Sequence, residues 1–176
     1  MKKTLLFVAI LLAGVSSNKA NAQDATLTVN LAALQSIKLN TAAVRIDFAS
    51  ESDYANGKSS GVIADQIEIV STGIFTVSVM ASGPLSTGTA IDDIPLSALT
   101  LTPSLASSSS TIVPTLNVIT TLAPTVPKAF IKSLVGTSNA KFSVNYGILP
   151  GVGSVNLLNR PAGAYKTTVT YTIAPN

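Results

Sequence analysis

The residue types that carry most enzyme chemistry are missing from this chain: its 176 residues include no histidine, no cysteine and no tryptophan. Without histidine or cysteine there is no conventional triad, no thiol nucleophile and no ordinary zinc or copper ligation. What remains is carboxylates: Asp47, Glu51, Asp53, Asp65, Glu68, Asp92 and Asp93. A pair of them could do acid–base work on a glycoside. Most sit in or beside loops, where solvated carboxylates belong. The expectation is a protein that is not an enzyme, with no catalytic residues, no metal and no cofactor.

The densest polar cluster runs over 47–57: Asp47, Glu51, Asp53 and Asn56, followed by Gly57. Its oxygen ligands could hold calcium, but the spacing does not match an EF-hand loop. The plainer expectation is a polar connection in which Asn56-Gly57 turns with positive φ. Asp53, Tyr54 and Asn56 form the one candidate ligand loop, with Tyr54 as a contact for a sugar or a protein. A tyrosine packed over its own loop is the simpler assignment. The lack of tryptophan weakens carbohydrate binding, because sugar platforms use flat aromatic faces. Tyr146, Tyr165 and Tyr171 lie at strand positions and are expected in the core.

The elements that must position these groups are strands. Leu27, Val29 and Leu31 alternate with Thr26, Thr28 and Asn30, and Val44, Ile46 and Phe48 with Arg45 and Asp47. Ile67-Glu68-Ile69, Phe75-Val77-Val79 and Phe142-Val144-Tyr146 repeat the pattern, and Tyr165 to Ile173 is its longest run. Period-two alternation places one set of side chains on each face of a strand. Turn signals at Asn56-Gly57, Ser82-Gly83-Pro84, Pro150-Gly151 and Arg160-Pro161 punctuate these runs. Pro124 and Pro127 exclude a central strand over 122–128. Strands at such spacing predict an all-β fold, a single immunoglobulin-like, Greek-key β-sandwich. No domain boundary interrupts the strands, and the sequence shows no internal repeat.

At the N-terminus, Lys2 and Lys3 precede an apolar stretch from Leu5 to Val15, and Ala20-Asn21-Ala22 supplies small residues for cleavage. Residues 1–22 therefore read as a signal peptide and 23–176 as the β-sandwich domain. The apolar stretch is too short to span a bilayer, no lipobox cysteine is present, and the C-terminus carries no apolar tail. The expectation is export, to the periplasm, cell surface or medium, with no transmembrane anchor in the mature chain. Lys2, Lys3 and Lys19 account for the formal charge of +3, so the domain is neutral and offers no basic footprint for nucleic acid. With cysteine absent, packing and strand hydrogen bonds must hold the fold.

The run Gly163-Ala-Tyr165-Lys-Thr-Thr-Val169-Thr-Tyr171-Thr-Ile173 resembles the closing strand of small exported β-sandwich proteins of the spore coat protein U and pilin-like type. Upstream, Asp53-Tyr54-x-Asn56-Gly57, Phe75-x-Val77-x-Val79-x-Ala81-Ser82-Gly83 and Phe142-x-Val144-x-Tyr146 resemble secreted proteins of Bacteroidota. The resemblance implies a structural or adhesive surface protein, with itself or other surface proteins as partners. In chaperone–usher pilins an alternating N-terminal segment completes the sandwich of the next subunit, a case of strand addition to an open edge. Here the donor would be Ala25 to Ala33, led by Leu27, Val29 and Leu31, and the acceptor groove would be lined partly by Tyr165, Val169 and Tyr171. Pilins of that system usually carry a disulfide, which this chain lacks. The ordinary arrangement, in which the segment completes its own sandwich, is the stronger expectation, with donation left open. A monomeric extracellular module binding a glycan or a protein is the alternative function.

Overall fold

The computed structural model describes residues 23–89, 93–109, 112–149 and 156–176. The expected signal peptide, 1–22, and Asp92 lie outside the described residues. Contacts divide the chain into two units, Met1–Leu31 and Ala32–Asn176. In the first, Gln23–Leu31 forms no regular secondary structure. Leu27, Val29 and Leu31 are 88%, 69% and 90% exposed. The strand expected there is absent: alternation alone does not make a strand, because the backbone also needs a neighbour to pair with.

The second unit is all β in its regular structure apart from short helical turns. It comprises β1 (Gln35–Leu39), α1 (Glu51–Asn56), β2 (Lys58–Ser71), β3 (Phe75–Ala81), β4 (Leu99–Leu105), β5 (Thr115–Leu116), β6 (Lys128–Ser133), β7 (Thr137–Ile148) and β8 (Val169–Pro175). Two four-stranded sheets form, ordered β1-β2-β7-β4 and β5-β6-β3-β8. Every ladder in both is antiparallel.

The period-two residues of the two sheets meet in one core. Ile67 and Ile69 of β2, Phe142 and Val144 of β7 and Leu101 of β4 face Phe75, Val77 and Val79 of β3 and Phe130 of β6, all fully buried. Burying a large aliphatic or aromatic side chain is worth about 1.5–3 kcal/mol. This cluster does the work that disulfides do in small domains with too little core. The Val44–Phe48 stretch is not a strand. Ile46 and Phe48 still pack against the core from an irregular connection, so its hydrophobic pattern served burial without a ladder.

Two arches carry the chain between the sheets at one end, from β2 to β3 and from β6 to β7, and they are built alike. The Ser71 hydroxyl donates to the Gly73 carbonyl at 2.8 Å, and the Ser133 hydroxyl donates to the Val135 carbonyl at 2.9 Å. The two ladders match as well: Phe75 pairs with Ser133, and Ser71 with Thr137. The four central strands thus have a local two-fold relation, marked in sequence only by Ile69-x-Ser71 and Ile131-x-Ser133. Gly136 sits at its tightest point, where an added Cβ would come within 2.7 Å of the Ser71 carbonyl oxygen.

Candidate functional site

Among the described residues, β8 is an edge strand whose only ladder partner is β3. The Ser82 amide donates to the Thr168 carbonyl at 2.9 Å, so Ser82 and Thr168 form a hydrogen-bonded pair. Bonded and non-bonded pairs alternate in an antiparallel ladder. Thr170, Thr172 and Ala174 therefore direct their backbone groups at Met80, Ser78 and Thr76, their partners in register. Val169, Tyr171 and Ile173 direct theirs to the unpaired side. The same three side chains are half-buried against the core. Each of these residues thus presents open backbone groups and a core side chain at once. Pro175 follows in the same alternation and has no N–H, which ends the edge.

The other three edges are closed or guarded. β4 carries Pro103, and Leu101 exchanges both backbone bonds with Ile119 at 2.9 Å. β5 is two residues long. β1 carries Lys38, ion-paired to Glu68 at 3.3 Å. Short strands, prolines and lysines are the usual protections of an edge. β8 has no charge, no bulge and no proline before Pro175. Its neighbour across the sandwich is β1, whose Ile37 is likewise only half-buried.

Beneath β8 lies a polar cluster that the sequence did not announce. Between Ile63 and Ile67 the β2 chain advances four residues against two on β7, and Asp65 takes φ 53° in this bulge. A non-glycine residue there is uncommon, with Asp and Asn the best tolerated. The bulge turns Gln66 inward, leaving it 1% exposed. Its amide nitrogen donates to the Thr41 carbonyl at 2.8 Å and lies 3.5 Å from the Tyr146 hydroxyl, while its Oε1 has no partner. The Tyr146 and Tyr171 hydroxyls share a hydrogen bond of 2.7 Å. Burial pushes both phenols above their ordinary pKa. Both hydroxyls are therefore neutral at physiological pH and stay hydrogen-bond donors.

The expected site residues fall on separate elements. Val169 and Tyr171 stand together on the β8 edge. Tyr165 precedes the strand, half-buried, and donates to the Pro161 carbonyl at 2.8 Å. Leu27, Val29 and Leu31 belong to the exposed N-terminal segment. Asp53, Tyr54 and Asn56 lie on α1, and their side chains are engaged locally. Ser50 caps this helix in a capping box, accepting from the Asp53 amide while the Asp53 carboxylate accepts from the Ser50 amide. That carboxylate also accepts from Lys58 Nζ at 2.8 Å and the Ala49 amide at 2.8 Å. Lys58 first, then the backbone donors, hold the Asp53 carboxyl well below the ordinary carboxylate range. Tyr54 packs its ring 5.4 Å from that of Phe48, and the Asn56 amide donates to the Ser52 hydroxyl at 3.1 Å. Gly57, at φ 81°, makes the expected turn. Ser50-x-x-Asp53 is the signal by which α1 could have been found.

Asn56 also lines a shallow polar groove of about 300 Å³ on the outer face of the first sheet, with Lys58, Thr100, Thr102 and Asn145. Among the described residues, no three acidic groups converge to hold a metal ion, and no helix is long and apolar enough to cross a membrane. No protein-family model matches the chain, and no curated protein matches it.

Proposed function

We propose that this chain is a non-enzymatic, exported structural or adhesive surface subunit, pilin-like in plan, that assembles by adding a strand to its immunoglobulin-like sandwich. One observation carries the reading: among the described residues, Val169, Tyr171 and Ile173 combine unpaired backbone groups with half-buried core side chains on the one unguarded edge. An added strand there would satisfy the backbone groups and finish covering the core in the same step. The low charge of the domain leaves little repulsion to oppose association.

The test places lysine on the solvent face of the edge, at Thr170 and Thr172, both exposed. Lysine at an edge blocks pairing without entering the core. The exported chain is expected to run as multimers in solution and to be retained at the cell surface. The Thr170→Lys/Thr172→Lys variant is expected to run as a monomer with an unchanged unfolding temperature. A wild-type chain that is monomeric at every concentration would overturn the reading.

A further inference from the structure

Resting on the reading that β8 takes an added strand, we infer that this strand is β8 of a second copy. The two pair antiparallel about a two-fold axis at Tyr171, with Val169 of each copy opposite Ile173 of the other.

The occupant follows from the edges. A strand can be added only by a segment whose own backbone groups are open. Among the described strands at the sheet rims, Leu101 of β4 is bonded to Ile119, β5 is two residues long and β1 carries the Lys38–Glu68 pair. β8 keeps a longer, uncharged open edge. The edge of a second copy that has the same need is therefore β8 itself.

The register follows from the residues of the strand. Val169-Thr170-Tyr171-Thr172-Ile173 has the same residue types in both directions: a central tyrosine, a threonine on each side and a β-branched apolar residue beyond each. An isologous contact needs this self-complementarity, residue i meeting j while j meets i. An axis at Tyr171 supplies it throughout. Val169 meets Ile173, Thr170 meets Thr172, and Tyr171 meets its own counterpart. Aromatic, β-branched and Thr–Thr cross-strand pairs all stabilise antiparallel sheet.

The phase agrees. Val169, Tyr171 and Ile173 direct their backbone groups to the open side, so they fall at the hydrogen-bonded positions of the new ladder, and Thr170 and Thr172 fall between them. Neighbouring registers fit less well. An axis at Thr172 sets Pro175, which has no N–H, opposite Val169. An axis at Thr170 sets Ile173 opposite Thr167, whose hydroxyl already donates to the Gly83 carbonyl at 2.7 Å.

A two-fold axis brings each charge against its own kind, and the stretch 167–175 carries no charged residue. The Tyr171 ring is held beforehand by the Tyr146 hydroxyl at 2.7 Å and the Phe130 ring at 5.8 Å, so little ordering is left to be done when the copies meet. The pairing joins the β5-β6-β3-β8 sheets of the two copies into one continuous sheet. It uses up both open edges and closes at a dimer. Any longer assembly is then built from pairs.

The chain has no native cysteine, and Thr170 and Thr172 are exposed, so cysteines can be placed there without entering the core. Across the axis Thr170 and Thr172 stand at the close, non-bonded spacing that suits a disulfide, whereas each lies about 7–8 Å from its own counterpart. The full chain, expressed for export, would be oxidised and run on denaturing gels without reductant, with native mass recorded over a range of concentrations. The expected result is a native dimer, with a covalent dimer from Thr170→Cys/Thr172→Cys at least tenfold stronger than from either single variant. A charge exchange reads the same register: Thr170→Lys/Thr172→Glu sets opposite charges across the axis and is expected to stay dimeric, where Thr170→Lys/Thr172→Lys does not. A single cysteine variant that cross-links as strongly as the double would overturn the register. Native multimers with no cross-link in any variant would overturn the inference and leave strand addition standing, with another segment on the edge. A wild-type monomer at every concentration would overturn both.

Discussion

The Tyr146 hydroxyl of one sheet lies 2.7 Å from the Tyr171 hydroxyl of the other, so the two layers are joined by a hydrogen bond as well as by apolar packing. Tyr171 also tilts against Phe130 at a ring separation of 5.8 Å. The pair sits beneath the open edge, and it sets how firmly that edge is held before anything is added to it.

Tyr171→Phe would leave the Tyr146 hydroxyl buried without this partner, at a cost of about 1–2 kcal/mol. Urea unfolding of Tyr171→Phe, Tyr146→Phe and the double variant is expected to show a double-variant loss smaller than the sum of the singles, the mark of a shared bond.

The same pair fixes the alkaline limit. Both phenols titrate higher in the folded chain than the ordinary value of 10. The stability they contribute is complete below pH 10 and is lost as pH rises beyond it, because the unfolded chain ionises first. Unfolding temperature measured from pH 8 to 12 is expected to fall steeply above 10, and less steeply when both residues are phenylalanine.

Asp53 sets an acid-side counterpart. Its folded pKa is depressed below 3.8 by Lys58 and by the Ala49 and Ser50 amides. Its contribution is present above pH 3.8 and is lost as pH falls below it. The difference in unfolding temperature between wild type and Asp53→Asn is expected to shrink as pH falls from 5 to 2. A difference independent of pH would mean that the ion pair adds nothing.

The two arches give a contrast between glycines. Gly136→Ala would press a Cβ against the Ser71 and Thr72 backbone at 2.7–2.9 Å. Forced overpacking of this kind typically costs about 1–3 kcal/mol. A Cβ on Gly73 meets nothing within 4 Å, and its counterpart in the other arch is Val135. Gly73→Ala is expected to stay within about 0.5 kcal/mol of wild type by chemical denaturation.

The strands with a buried face were legible in the sequence because burial and period coincide there: Phe75-Val77-Val79 and Phe142-Val144-Tyr146 lie where the alternation puts them. The same alternation misled at Leu27–Leu31 and Val44–Phe48, which carry the pattern without a ladder. Period reports which side chains want cover and is silent on whether a neighbouring backbone exists. Gln66 was illegible for a different reason. Its inward turn comes from the bulge at Asp65, a local irregularity that shifts phase between two regular stretches. α1 was missed because six residues are too few for a helical period, although Ser50 and Asp53 mark its start. At the candidate site, Val169 and Tyr171 were found as strand residues. That their backbone groups stand open could be known only once β8 was seen at the rim of its sheet.

The reciprocal bonds between Leu34 and Thr72 have a mechanical consequence. They stand where the exposed segment leaves the sandwich, at the start of the β1–β2 ladder, which runs from Gln35 opposite Ser71 to Leu39 opposite Ile67. A pull on the segment along the strand axis loads that whole ladder in shear, with its bonds bearing the force together. A pull across the axis opens it one rung at a time, beginning at Thr72. The domain is therefore built to be strong in one direction and to yield in the other, and the Leu34–Thr72 clasp is the first rung that a sideways load must break.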